Sequence, residues 1–447
     1  MNYHFMRLNK WIVLLFLLSL MVHVGYVVSP LAENNFRPID AAIYLDLAEN
    51  LAEQGRYCVS HDAFQTVVAG EPTLFWTPVY PVFLAALRLV HLDSHLQIAL
   101  IQAVLMALSV FPVYGLLQLF LDKRPLLVAT IVWVFYPFHV IMTYHIASEN
   151  ICMLIEWCTL FVAATLSLHY PEKRSLYLLL GLMLGVLVLT RPERLLLAAG
   201  VCIWIVGRNV VIHKIWGVRN MGILVAGMSF VVLPWLVRNY QITEGHIAFS
   251  TRLPFNLLAH NKVWELTSTR QIDSSTEYYS DHPTAGTEYQ RAQQLKKDAI
   301  TFIYENPVTY GLICIRRTAS LLMPAFVKDY WMRKFNRRPG SKDLLPLWEV
   351  AQIVFLIAFL AITIPGWFAA HRAGALTRDF FLGVPGLLFI AAMAQLIVSI
   401  LISSAPQLRL MTDTYWITLG IWGLSSSRLV SKMPTESPQG PLSAVTS

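Results

Sequence analysis

The run Gln97-Ile-Ala-Leu-Ile-Gln-Ala-Val-Leu-Met-Ala-Leu-Ser-Val-Phe-Pro-Val-Tyr-Gly-Leu-Leu-Gln-Leu-Phe-Leu121 carries no charged side chain. As a helix rising about 1.5 Å per residue, it can cross a hydrocarbon core about 30 Å thick. Similar runs recur in both directions: Trp11–Val28 behind Arg7 and Lys10, then segments near 77–92, 126–145, 149–169, 176–190, 193–207, 219–237, 308–326, 346–370, 380–403 and 411–427. Lipid offers no partner to an unpaired backbone group, so spanning segments must be helices or closed barrels, and a barrel would show short alternating segments that are absent here. The expectation is an all-α polytopic membrane protein with about 11–13 transmembrane helices.

Composition agrees. The chain is 56% hydrophobic and only 14% charged, against about 25% charged for an ordinary soluble domain. Its net charge of +7 sits in short Lys/Arg clusters beside apolar segments, which is the pattern of membrane orientation and lipid contact rather than of nucleic-acid binding. The five cysteines form neither a disulfide framework nor a zinc spacing.

The organisation read from these runs is a first transmembrane helix at 1–30, an uncleaved signal anchor since no small-residue cleavage site follows it. An acidic external loop at 31–76, a transmembrane module at 77–238, a second external loop at 239–306, a C-terminal transmembrane module at 307–430 and a Pro/Ser/Thr-rich tail at 431–447, expected to be disordered, complete it. Strict alternation from a cytoplasmic N-terminus would put Lys123 and Arg124 outside, against the positive-inside rule. One of the segments 77–92 and 97–121 should therefore not cross fully; the first is short and opens with Pro78 and Pro81. The basic cluster within 328–343 poses the same question, being cytoplasmic by the rule and a lipid-phosphate site if external.

Polar chemistry concentrates in the loops. Arg37-Pro-Ile-Asp-Ala-Ala-Ile-Tyr-Leu-Asp-Leu-Ala-Glu-Asn-Leu-Ala-Glu-Gln-Gly55 reads as an amphipathic helix, with Tyr44, Leu47 and Leu51 on one stripe and Asp46, Glu49 and Glu53 on another. Asp40 lies in the first turn, where the helix dipole favours a carboxylate; it is either a helix cap or a working acid. Thr287 to Glu305 reads as an interfacial helix, a structural strut or one wall of an acceptor cleft. Glu149 and Glu156 lie at or within a span, and His139 and His145 show no metal-ligand spacing.

The pattern Asp40-x-x-x-Tyr44-x-x-Leu47-Ala48-x-x-Leu51-x-x-x-Gly55 is followed by Thr77-Pro-Val-Tyr-Pro-Val-Phe-Leu-Ala85. Then come Ser148-Glu149, Gly185-Val-Leu-Val-Leu-Thr-Arg-Pro192, Leu233-Pro-Trp-Leu-Val-Arg-Asn-Tyr240, Asp298-Ala-Ile-Thr-Phe-Ile-Tyr-Glu-Asn-Pro307 and Gln407-Leu-Arg-Leu410. In this order the motifs resemble the GT-C glycosyltransferases, and within them family 39, the branch of the protein mannosyltransferases and the lipid A aminoarabinose transferase. The resemblance implies a GT-C-like fold and transfer of a sugar from a polyprenyl-phosphate carrier to a lipid, polysaccharide or protein acceptor at the external membrane face. The implied location is the bacterial inner membrane, with the site facing the periplasm or exterior. It implies Asp40 as the catalytic base and Tyr44, Tyr80, Glu149, Arg191, Arg194, Arg238, Asn239 and Arg409 as substrate-binding residues, the arginines answering the donor phosphate. Where many relatives place a second acid directly after the first, this chain has Ala41, which weighs against a metal held by an acidic pair; no metal ligand is assigned, a divalent metal is left open, and a lipid-linked donor calls for no nucleotide cofactor. The departures Gln407, Leu408 and Met411 near the last span leave the sugar open. The rival reading is a transporter or lipid flippase, which would more often put its charges within broken spans.

Overall fold

A computed structural model describes residues 10–33, 40–64, 66–214, 217–268, 286–322, 345–402 and 409–430. Among them every regular element is a helix, apart from two isolated bridges, Cys58 to Pro72 and Ala63 to Val67, inside the first loop. Among the described residues seven helical stretches are long and apolar enough to cross a membrane: Lys10–Val27, His95–Leu117, Lys123–Met142, Glu149–His169, Arg194–His213, Val218–Ile242 and Val384–Leu401. Arg174–Thr190, Leu345–Arg372 and Arg409–Val430 pack among them. The expected tail at 431–447 and the 328–343 cluster lie outside the described residues.

Val79–Leu89 has 11 residues, about 16 Å of helix and roughly half of what a crossing requires. It lies instead against the Asp40–Gln54 helix. The proline-opened segment singled out above is thus too short to span.

Close packing between spans is made by glycine. Gly181 and Gly185 press on the Val218–Ile242 helix, where a Cβ on Gly181 would stand 2.1 Å from the Leu224 carbonyl oxygen. Gly366 meets Gly420 and Gly423, and a Cβ there would stand 2.2 Å from the Gly420 oxygen. In lipid, where helices gain little from hiding apolar surface from one another, such close backbone approach supplies the packing energy.

The polar contacts at the helix ends sort into two sets. At one end Arg208 and His213 donate to the Ser167 carbonyl, Tyr177 and Asn220 to that of Pro171, and Arg208 to that of Leu382; Lys173, Arg174, Lys214 and Arg219 belong to the same end by sequence. At the other end lie the first loop, Ser148 and Glu149, Arg191, and the segment after Ile242. There the extramembrane parts have their own aromatic core: Phe64 stacks on Phe75 at 4.8 Å, and Phe255 closes on both at 5.1 and 5.6 Å. Aromatic packing of this kind, with Trp76 and Tyr80 fully buried, joins the first loop to the segment around Phe255.

Candidate active site where two extramembrane loops meet

Asp40 is the first residue of the Asp40–Gln54 helix. The buried residues of that helix are Tyr44, Leu47, Ala48 and Asn50, the first two on the stripe expected from its periodicity. The other acids of the helix hold the scaffold: Asp46 accepts from the amide and hydroxyl of Ser60, both at 2.6 Å, while Glu49 and Glu53 face Arg88 at 3.2 and 2.7 Å. Asp40 alone of this set turns to the second loop, where its Oδ2 is 2.6 Å from Nη2 of Arg252.

Arg252 opens the Arg252–Ser268 helix, and its guanidinium lies 5.9 Å from the Phe75 ring centroid. Burial opposes its charge, but the neighbouring Asp40 more than offsets this and holds its pKa above the ordinary value. The side chains are 19% and 29% exposed for Asp40 and Arg252, so the pair is sheltered yet reachable. The sequence reading did not single out Arg252. No span or periodicity marks it, and its role arises from contact with a residue more than 200 positions away.

One turn along the helix, the Tyr44 hydroxyl donates to Ser148 Oγ at 3.4 Å, and burial pushes its phenol up to about 12, so it remains a neutral donor at ordinary pH. Ser148 also accepts from Arg191 Nη1 at 3.3 Å and donates to Glu149 at 3.4 Å. Glu149 is 2.5 Å from Arg191, which is also paired with Glu193. Tyr80 meets Tyr44 edge-on at 4.9 Å and donates to Gln102 at 2.7 Å. Asp40, Tyr44, Ser148, Glu149, Arg191 and Arg252 thus form one continuous polar strip, with Tyr80 behind it.

The remaining candidates stand elsewhere. Arg194 lies in the bundle, 3.0 Å from Glu156 in ion-pair contact without hydrogen-bond alignment, and donates to Gln395; Tyr415 donates to the other Glu156 oxygen at 2.5 Å. Arg238 donates to the Thr73 and Tyr57 carbonyls at 3.1 and 3.4 Å and stacks on Tyr57 and Trp235. Asn239 donates to Ala248 O at 2.9 Å. Arg238 and Asn239 therefore fasten the loops in the arrangement seen. Arg409 begins the last helix, but its side chain lies outside the described residues. His139 packs between Trp133 and Tyr136 at 4.9 and 4.7 Å.

Among the described residues no three His, Cys, Asp or Glu side chains converge, and the carboxylates of the strip face guanidinium groups where a cation would sit.

Residues 75–238 match the family model of dolichyl-phosphate-mannose-protein mannosyltransferase, a segment that includes Glu149, Arg191 and Arg238 and excludes Asp40 and Arg252. No curated protein matches the chain by sequence. Among solved structures, the Archaeoglobus fulgidus oligosaccharyltransferase tethered to an acceptor peptide containing the NVT sequon is similar, with a TM-score of 0.52 at 16% identity, over 93% of this chain and 49% of that one. The same archaeon's AglB, in complex with an inhibitory peptide and a dolichol-phosphate, gives 0.51 at 12% identity, over 92% and 49%. ArnT from Cupriavidus metallidurans, bound to undecaprenyl phosphate, gives 0.41 at 12% identity, over 94% and 78%. The chain spans about half the length of the archaeal enzymes. Residues 75–238 thus carry a mannosyltransferase-family segment, inside a chain whose fold is similar to that of the archaeal oligosaccharyltransferase.

Proposed function

We propose that the protein moves a sugar from a polyprenyl-phosphate-linked donor to an acceptor at the external membrane face, with Asp40 taking the acceptor's proton. The observation that carries this reading is the Asp40–Arg252 pair at 2.6 Å, an accessible carboxylate beside an accessible cation. An acceptor oxygen attacks the anomeric carbon, its proton passes to Asp40, and the bond from that carbon to the phosphate oxygen breaks. The phosphodiester leaves as polyprenyl phosphate, and the charge growing on it falls to Arg252. Arg252 suits this better than Arg191 or Arg194, because its side chain is 29% exposed against 14% and 4%, and Arg191 already faces two carboxylates. Tyr44, Ser148, Glu149 and Arg191 would line the sugar-binding wall.

Orientation supports the same reading. With Val79–Leu89 not crossing and the N-terminus in the cytoplasm, Lys123/Arg124, Lys173/Arg174 and Arg208/Lys214/Arg219 all become cytoplasmic, as positive charge prefers. Asp40, Glu149, Arg191 and Arg252 then all face outward, toward the periplasm if the membrane is a bacterial inner one. A structure of the same fold was solved with dolichol-phosphate, in line with a lipid phosphate as carrier. Sugar and acceptor are to be named by deleting the gene and comparing glycans on lipids, polymers and proteins by mass spectrometry. A lost hexose or pentose increment should return with the wild-type protein and not with Asp40→Asn; equal restoration by both would defeat the proposal.

A further inference from the structure

The second loop contains a buried carboxylate that this chemistry does not use. Glu288 is the first residue of the Glu288–Glu305 helix, behind Thr287, whose hydroxyl and Gln290 form a reciprocal cap. It is 6% exposed. Both its oxygens accept from the Leu74 amide, at 3.1 and 3.2 Å, and the Thr251 hydroxyl donates to Oε1. The two segments that it holds are also tied directly: the Thr251 amide donates to the Leu74 carbonyl at 3.3 Å, and the Ser250 hydroxyl to the Phe75 carbonyl at 2.8 Å. Arg252 follows at once, its amide 3.1 Å from Ser250 Oγ and its guanidinium against Phe75.

We infer that Glu288 is a positioning residue for the Asp40–Arg252 pair, its carboxylate clipping Leu74 of the first loop to Thr251 and so aiming the Arg252 side chain at Asp40. This rests on the proposed role of Arg252 as the cation for the donor phosphate. Without an acceptor at Glu288, a buried amide and a buried hydroxyl would lose their partner, a costly state that the backbone relieves by moving.

The clip responds to pH. Burial pushes the Glu288 carboxyl up to about 7, against the lowering effect of bonds from Thr251, Thr73 and Leu74 and of Arg291 on its own helix. The other groups that face it are Arg238 from the Val218–Ile242 helix and Tyr57 from the first loop; Arg291 is itself tied to the Thr66 carbonyl and to Glu71. Protonation converts an acceptor into a donor among groups that donate, so the clip loosens as pH falls through about 7.

The test is binding of undecaprenyl phosphate to the full-length protein in nanodiscs between pH 5.5 and 8.5. Glu288→Gln cannot titrate, and dividing the wild-type affinities by its own removes the titration of the lipid phosphate. The expected ratio falls several-fold as pH drops through neutrality. Thr251→Val, which keeps the acid but removes a bond that lowers its pKa, should move that step to higher pH, and it serves alone should Glu288→Gln fail to fold. Superimposable wild-type and Glu288→Gln profiles, or an unmoved step in Thr251→Val, overturn the inference while a weakened Arg252→Ala leaves the functional reading standing. Wild-type affinity in Arg252→Ala overturns that reading itself.

Discussion

Consider Asp40→Asn, Arg252→Gln and the double variant. Loss of a general base costs about a hundredfold to ten-thousandfold in rate, or roughly 3–5.5 kcal/mol of barrier. Removing a charge-stabilising donor from a leaving group costs about a hundredfold to a thousandfold. If the two groups acted separately, the double variant would show the product of both losses. The structure predicts otherwise. The charges are 2.6 Å apart with side chains 19% and 29% exposed, between the exposed pairs worth at most about 1 kcal/mol and the buried ones that cost about 3–5 kcal/mol to break. A coupling of about 1–3 kcal/mol follows, because Arg252 also orients the base and that service has no value once the base is gone. Sugar transfer is to be measured in membranes holding equal amounts of each variant, with kcat and KM for the donor separated. Strictly multiplicative losses would show that the pair is not a functional unit. Wild-type turnover in Asp40→Asn would remove the base altogether.

Arg191→Ala leaves Glu149 and Glu193 without the guanidinium that both contact, so it should destabilise the fold by about 3–5 kcal/mol as well as impair transfer; an unchanged melting temperature in detergent would show the pair to be idle. Cysteines placed at Ala63 and Gln293 should both label from outside intact cells, since the loops that carry them share one core, and labelling of either only after permeabilisation would reverse the orientation. The folded pKa of Glu288, about 7 against an ordinary 4.5, lies above its unfolded value. The global stability of the fold is therefore full with respect to this group below about 4.5 and is lost as pH rises through about 7, because charging the buried acid costs desolvation even though the charged form makes the tighter local clip. That difference is on the order of 3 kcal/mol. Glu288→Gln should therefore gain stability relative to wild type between pH 5 and 8.5 in denaturation followed by tryptophan fluorescence, and a constant difference would contradict it.

The helical class, the apolar runs and the amphipathic helix after Asp40 were legible in the sequence, because each depends on local quantities: twenty or so apolar residues to match a bilayer and a 3.6-residue period. The shortness of Val79–Leu89 was legible for the same reason, since its prolines and its length are both local. Which arginine meets Asp40 was not. Arg191, Arg194, Arg238 and Arg252 all sit at helix ends, and nothing in their neighbours along the chain separates the one that faces the base from those that face Glu149, Glu156 or loop carbonyls. Glu288 was equally invisible, one charge at the start of a helix read as interfacial, and its part is set only where Leu74 and Thr251 close around it. Partner choice for a charged side chain is decided by long-range packing of the two loops around Phe64, Phe75 and Phe255, whose geometry no single segment contains.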